Sequence, residues 1–283
     1  MRTGWLVAMF LALFSLTAMA AGPGAVRKQV EASMLVTGDL EVSADGSVRT
    51  HAIDDAGKLP KGVVDFIQKS IDTWKFDPVL VDGEAVAIRN KMSLLVVAKK
   101  YDDDHYSIRL QATNFHPYQA QEGVEVGSRD MAPPRFPMAA AQNGVGGTVY
   151  LIVKVGRDGK VEDAVPEQVN LRIVATENQM GKWRMLLAKN SVQAAKAWEF
   201  VPPTAGEYVD NPYWLVRVPV DYRFPEEKSG YGQWQSYVPG PRQANPWAEN
   251  EDAGYSPEAL AAGGVHMMGK GGLRLLTPLG AES

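Results

Sequence analysis

WKFDP at residues 74–78 and WEFVP at residues 198–202 are two copies of one pattern, and similar residues surround both copies. An Asp-Gly pair precedes each copy, Asp45-Gly46 in the first case and Asp158-Gly159 in the second, and it separates two runs of alternating apolar residues. Asp-Gly in this setting is a strong hairpin signal, because both residues accept the positive φ angles that match the twist of paired strands. The recurrence predicts one supersecondary unit used twice.

A helical pattern lies between the hairpin and the aromatic pentapeptide in both copies. Its apolar residues recur every three or four positions, so that one side of a helix can cover a sheet face. A further strand is predicted after each pentapeptide. The expected elements are a hairpin around residues 40–53, a helix through Val63, Ile67, Ile71 and Trp74 and a strand near 86–97, then a hairpin over 148–165, a helix through Ala188, Val192, Ala195 and Trp198 and a strand over 214–224.

The pentapeptides themselves predict a helix-to-strand corner. The tryptophan closes the apolar stripe of the helix, and the phenylalanine two residues later turns back into the core. The proline stops the helix, because it lacks an amide hydrogen and restricts the residue before it to extended geometry. We therefore expect the corner residues to be structural, with the tryptophan and phenylalanine rings mostly buried: Trp74, Phe76, Pro78, Trp198, Phe200 and Pro202.

The second copy carries further residues that point to a known family. They are the proline-rich run Pro133-Pro134-Arg135-Phe136-Pro137, Gly147 before the alternating strand, and the closing Val216-x-Val218-Pro219-Val220. Together with the hairpin and the corner they resemble the C-terminal domain of the TonB energy transducers over residues 131–225. Residues 27–98 resemble a degenerate copy without the proline-rich run and the helix ahead of its first strand. The resemblance implies an α+β fold class: two small units, each an antiparallel three-stranded sheet with one or two helices packed on one face.

The resemblance also implies a function and a set of binding residues. In the TonB family this domain lies in the periplasm and pairs with a short segment of an outer-membrane receptor by strand addition. The implied partner is an outer-membrane TonB-dependent receptor or another envelope protein, and the implied role is non-catalytic protein–protein interaction in TonB-linked transmembrane transport. A proline such as Pro219 within a strand is typical of a sheet edge. The implied partner-binding residues are Pro133, Pro134, Arg135, Phe136, Val216, Val218, Val220 and Tyr222.

Residues 1–20 are typical of a signal peptide. Arg2 precedes an apolar run, and the run ends in the small-x-small pattern Ala18-Met19-Ala20. This pattern predicts export to the periplasm of a Gram-negative envelope with cleavage after Ala20. An uncleaved helix anchored in the inner membrane is the alternative, and it would make the protein a TonB-type energy transducer for receptor-dependent transport. An envelope enzyme is the second alternative.

Composition and motifs argue against several other classes. A net charge of -4 gives no basic surface for nucleic acid, and the chain has no cysteine to form disulfides or reactive thiolates. Asp102, Asp103, Asp104 and His105 offer metal-binding atoms but lack the spacing of a calcium loop, and we interpret them as a solvated charge run. No catalytic motif is present. We therefore expect no catalytic residues, no cofactor, no metal and no nucleic-acid partner.

Two further segments flank the second copy. Residues 99–130 are interpreted as a linker or an extra hairpin between the copies. Residues 226–283 are rich in glycine and proline and predict a largely irregular tail, with a helical turn or two around 257–262. The tail aromatics Trp234, Tyr237 and Trp247 either dock on a partner or fold back over the protein, and the sequence leaves both open.

Overall fold

A computed structural model of the protein describes residues 22–100, 106–118, 122–227, 230–247, 256–260, 263–268 and 273–279. The fold is of the predicted α+β class, and its strands pair antiparallel. The helices are α1 (Pro23–Arg27), α2 (Lys61–Ile71), α3 (Met138–Gln142) and α4 (Glu177–Ala195). The strands are β1 (Glu31–Val42), β2 (Val48–Ile53), β3 (Val79–Val81), β4 (Glu84–Val86), β5 (Ile88–Lys100), β6 (Tyr106–Pro117), β7 (Gly127–Asp130), β8 (Gly147–Gly156), β9 (Val161–Leu171), β10 (Glu199–Val201), β11 (Tyr213–Tyr222), β12 (Gln235–Tyr237) and β13 (His266–Met267).

The first sheet is built around the long strand β1. The strand β5 pairs with β1 along one edge, the strands β2 and β12 share its other edge, and β6 lies outside β5. Even-numbered residues of β1, such as Met34, Val36 and Leu40, are buried on the face covered by α2. The helix contributes Val63, Ile67 and Ile71 to the same core, as its spacing predicts. With five strands the sheet is larger than the three-stranded one expected.

The second sheet has the order β13-β11-β8-β9. Its strand β8 buries Val149, Leu151, Val153 and Val155 against α4, which follows from the two-residue period of a strand. The helix begins with a capping box in which Thr176 and Gln179 bond each other's backbone. This sheet has four strands, so the expected number of three is wrong here as well.

In both halves of the chain, the aromatic corner is hydrogen-bonded to the hairpin turn. Trp74, Phe76, Trp198 and Phe200 are at most 3% exposed, while Pro78 is exposed and Pro202 is half-buried. The Phe76 amide donates to the Gly46 carbonyl, and the Phe200 amide donates to the Gly159 carbonyl, each at 2.8 Å. The two motifs therefore recur together because the corner closes on the turn.

The turn glycines are required by this closure. Gly46 and Gly159 have φ angles of 76° and 78°. A Cβ atom would lie 2.0 Å from the Phe76 carbonyl oxygen at Gly46 and 2.3 Å from the Phe200 oxygen at Gly159. Only glycine avoids both the left-handed strain and this collision.

We expect Gly159→Ala to lower the free energy of unfolding by about 2–3 kcal/mol, because left-handed strain and a backbone collision act together. Gly144→Ala is the matched control, since Gly144 has a φ of 64° with open space around the missing Cβ. That variant should cost only about 1 kcal/mol. Urea unfolding of the three proteins measures the difference, and equal losses would contradict the coupling of turn and corner.

The helix-free faces of the two sheets meet. Leu95 and Val97 on β5 point away from α2, yet they are buried and pack with Ala112 and Ala259. Ser33 of β1 and Tyr150 of β8 line the same cavity. The layers therefore run α2, first sheet, second sheet, α4.

The N-terminal part departs from the expectation for residues 27–98. A short helix, α1, does precede the first strand, although none was expected there. Its Val26 is fully buried in the core beneath α4, not in the core beneath α2. The start of the described chain thus packs on the second sheet before β1 enters the first.

The described part of residues 226–283 is largely irregular, and its regular elements are β12, β13 and a 3₁₀ turn at Pro257–Ala259 within the predicted helical segment 257–262. The strand β12 pairs with β1, and the next residue, Val238, exchanges two backbone hydrogen bonds with Leu171 in the second sheet, at 2.8 and 3.1 Å. Further along, residues 274–276 bond to the first corner at residues 75–77. Trp234 packs against the first core and Tyr237 is buried, so these two aromatics fold back, whereas Trp247 is half-buried. This tail ties the two sheets together.

The remaining predictions concern residues 99–130 and the N-terminus. Tyr106–Pro117 form the strand β6, which pairs with β5. The charge run at residues 102–105 and the predicted signal peptide at residues 1–20 lie outside the described residues. None of the helices in the described ranges is long and apolar enough to span a membrane.

Candidate functional site

The proline-rich run at residues 133–137 lies along the helix side of the second sheet. The Trp198 indole N–H donates to the Ala132 carbonyl at 2.8 Å, and the Asn190 amide donates to the Arg135 carbonyl at 2.9 Å. Phe136 is half-buried, with its ring centroid 4.9 Å from that of Phe224. Pro133 and Arg135 are exposed, Pro134 is half-buried, and the run is held by the Arg135 carbonyl and the Phe136 ring.

The four predicted binding residues on β11 turn their side chains inward. Val216, Val218, Val220 and Tyr222 are buried in the core beneath α4. The Tyr222 hydroxyl lies 2.8 Å from Ser191 Oγ and accepts a bond from Asn190, and burial raises its pKa. A partner could therefore meet this strand only through its backbone groups and its other face.

The outer edge of β11 is already occupied by the tail. Residues 263–268 run antiparallel to it, with Val216 opposite Met267 and Arg217 opposite His266. The Met268 amide donates to the Leu215 carbonyl at 2.8 Å, and the Gly263 amide donates to the Pro219 carbonyl at 3.0 Å. We call residues 263–268 the covering segment.

Pro219 fits this edge for a geometric reason. In an antiparallel strand the N–H and C=O of one residue point to the same side. Because the Pro219 carbonyl accepts from Gly263, its missing N–H also faces the covering segment and not β8. The ladder between β11 and β8 therefore loses no hydrogen bond to the proline, as is usual for proline on edge strands.

The covering segment shows which side chains the edge accommodates. Val265 and Met267 pack against the second core and are half-buried. His266 lies between them and points the other way, with its ring centroid 5.7 Å from that of His116 on β6. The edge therefore holds a strand with apolar residues at alternate positions.

The burial of His116 predicts a dependence of stability on pH. Burial lowers the pKa of His116, although the nearby Glu125 carboxylate acts to raise it. A lowered pKa means that the unfolded chain binds the proton better, so stability is lost as pH falls below about 6.5, the pKa of an unperturbed histidine. We expect His116→Phe to lose less stability than the wild type between pH 7 and pH 5, as measured by urea unfolding. Identical pH profiles would contradict this.

A buried ion group fixes β11 from its other face. The Glu167 carboxylate is fully buried and accepts from Arg217 Nε at 2.9 Å and from an Arg242 terminal nitrogen at 2.8 Å. Arg217 belongs to the edge strand, and Arg242 belongs to the tail. The carboxylate thus links the tail to the strand whose edge the tail also covers.

A small polar cavity lies between the sheets near this point. Its volume is about 50 Å³, and its lining residues are Ser33, Thr148, Tyr150, Asn170, Arg172, Gln235, Tyr237 and Glu258. Ligand pockets usually have roughly 300–1,000 Å³, so this cavity suits a few water molecules. In the described part of the chain, no group of three or more His, Asp or Glu side chains is placed to hold a metal ion.

Glu258 closes this cavity from the tail side. Its carboxylate accepts from Gln111 on the first sheet at 2.6 Å and from Gln168 on the second at 3.3 Å, and it also bonds Asn170. Burial raises the pKa of Glu258. The 3₁₀ turn at Pro257–Ala259 is therefore pinned between the sheets shortly before the covering segment begins.

Sequence reasoning placed the edge on β11 but missed its cover. The covering segment contains a two-residue strand, which is too short for an alternating pattern to be recognised. The available signal was Val265-His266-Met267 with its apolar, polar, apolar order.

Comparison with models of protein families, with curated proteins and with solved structures gives no match for this chain.

Proposed function

We propose that this protein is a non-catalytic interaction module of the Gram-negative periplasm that binds an extended segment of a partner by strand addition at the outer edge of β11. The observation that carries the proposal is the tail segment already paired with this edge. The edge holds an extended segment in antiparallel register, and the described bonds of that segment to β11 involve Leu215 to Pro219. An edge that accepts one extended segment offers the same backbone groups to another.

Strand addition suits the chemistry of this edge. Its affinity comes from backbone hydrogen bonds, each of which contributes about 0.5–1.5 kcal/mol net, and its specificity comes from side chains at alternate positions. Pro219 can accept a bond but not donate one on this side, which limits the register of an incoming strand. The buried Glu167–Arg217 pair holds the strand in place from its helix-free face.

The sequence resemblance supports the class of partner. Hairpin, helix, corner and strand follow one another twice, and we take residues 27–98 and 131–225 as two units similar to the TonB C-terminal domain. The partner would then be an outer-membrane TonB-dependent receptor or another envelope protein, with a role in transmembrane transport. Pro133, exposed beside the second unit, is an additional contact residue in this proposal.

Peptide binding tests this function. Mature protein beginning at Ala21 is titrated with synthetic peptides that copy N-terminal segments of TonB-dependent receptors, and binding is followed by calorimetry. The matched control peptides carry proline at every second position and so lack the amides needed for pairing. We expect binding of the first set only. The proposal is wrong if neither these peptides nor any protein cross-linked from an envelope extract binds.

The exported state has its own test. Protein recovered from Gram-negative cells is expected to begin at Ala21, because residues 18–20 match the pattern of a signal-peptidase site. Mass measurement of the intact chain reads the terminus directly. A chain that retains Met1 in the inner-membrane fraction would favour the anchored energy transducer instead.

A further inference from the structure

The covering segment uses the outward-facing backbone groups of β11. Among the described residues, its bonds to β11 run from Leu215 to Pro219. A partner strand that adds to this edge needs the same backbone groups, so it can bind there only if the covering segment leaves.

The covering segment is held by the same features that a partner would use. Val265 and Met267 pack on the second core, and the backbone of residues 263–268 supplies the pairing. Because it belongs to the same chain, this segment has a high effective concentration at the edge, typically in the millimolar range for short linkers. A separate peptide must compete with it, and its apparent affinity falls with the fraction of molecules in which the edge is open.

We infer that residues 263–268 are a built-in competitor that occupies the β11 edge until an antiparallel partner strand with apolar residues at alternate positions displaces it. This inference rests on the proposed function, and it specifies the sequence pattern of the partner. The incoming strand places two apolar side chains, two residues apart, where Val265 and Met267 now lie. Between them it carries a side chain that faces His116.

A reversible lock tests the inference. The Leu215–Met268 hydrogen bond makes Val216 and Met267 a pair without mutual backbone bonds, and the Cα atoms of such pairs are about 4.5 Å apart. A disulfide accepts this separation, and the chain has no cysteine of its own to interfere. Oxidation of V216C/M267C is therefore expected to hold the covering segment on β11, and reduction is expected to release it. We call the oxidised form the oxidised lock.

The probe is a fluorescent synthetic peptide with the sequence of residues 259–270, and the control peptide carries Asp in place of Val265 and Met267. V265D/M267D is the released variant, in which the cover loses both apolar contacts. We expect the released variant to bind the probe at least about tenfold more tightly than the wild type, because the edge is then open in most molecules. The oxidised lock should not bind it, reductant should restore binding, and V216C alone should not respond to reductant.

The outcomes separate the inference from the proposed function. If probe or receptor peptides bind the oxidised lock as tightly as the reduced one, the covering segment is no competitor, and the binding edge of the protein lies elsewhere. If no peptide binds even the released variant while its thermal unfolding stays cooperative, the β11 edge does not take up strands, and the proposed function is wrong with the inference. Thermal unfolding of every variant shows whether the fold has been kept.

Discussion

Replacing Trp198 by alanine is expected to lower the free energy of unfolding by about 3–5 kcal/mol, the usual cost of removing a large aromatic side chain from a core. The ring is 3% exposed and closes the core beneath α4. Its indole N–H also holds the proline-rich run through the Ala132 carbonyl. Urea unfolding measures the loss, which should be accompanied by faster proteolysis near residues 131–137.

Trp198→Phe separates the two contributions of this side chain. It keeps most of the buried volume but removes the bond to Ala132, so the expected loss is about 1–2 kcal/mol. A Trp198→Ala protein as stable as the wild type that had merely lost peptide binding would contradict the structural role of the corner. It would place the tryptophan in a binding surface instead.

Replacing Glu258 by alanine is expected to lower the free energy of unfolding by about 3–5 kcal/mol. The side chain is buried, and its removal leaves the amide groups of Gln111, Gln168 and Asn170 without their acceptor between the sheets. Each buried polar group that loses its partner costs about 1–3 kcal/mol, and water entering the small cavity offsets part of the sum. Glu162→Ala is the control, because Glu162 is exposed and its surface pair with Lys154 should contribute little to stability.

The pH profile gives a second readout for Glu258. Because burial raises its pKa, the folded protein binds this proton better than the unfolded chain does. The resulting stabilisation is fully present below about pH 4.3, the pKa of an unperturbed glutamate, and is lost as pH rises through the folded pKa. Glu258→Ala should therefore lose more stability at low pH than at neutral pH, which is opposite in sign to the effect of His116. A loss independent of pH would contradict the raised pKa of Glu258.

The sequence was sufficient for the local elements of the fold. Asp-Gly turns, alternating strands and the apolar stripe of α2 are set by neighbours in the chain, and the structure has them close to the predicted positions. The number of strands per sheet was not predictable in this way. The strands β12 and β13 contain three and two residues, and they exist because a distant strand supplies their hydrogen bonds.

The candidate site shows the same division. The last long strand and its proline indicated an edge, and β11 does have one beside Pro219. Which face each valine takes follows from the position of α4, and the cover follows from a segment far downstream in the chain. Neither relation is encoded in the local pattern of residues 213–222. The sequence therefore predicted partner binding for side chains that are buried in the core.

Register-specific disulfide trapping tests the central claim most directly. The released variant carrying V216C is mixed, in a buffer of oxidised and reduced glutathione as the oxidant couple, with peptides of residues 259–270 that hold one cysteine in place of His266, Met267 or Met268. If a partner strand adds to β11 as the covering segment does, the cysteine at position 267 should form the mixed disulfide fastest, because Met267 lies opposite Val216. Equal rates at the three positions would contradict strand addition at this edge.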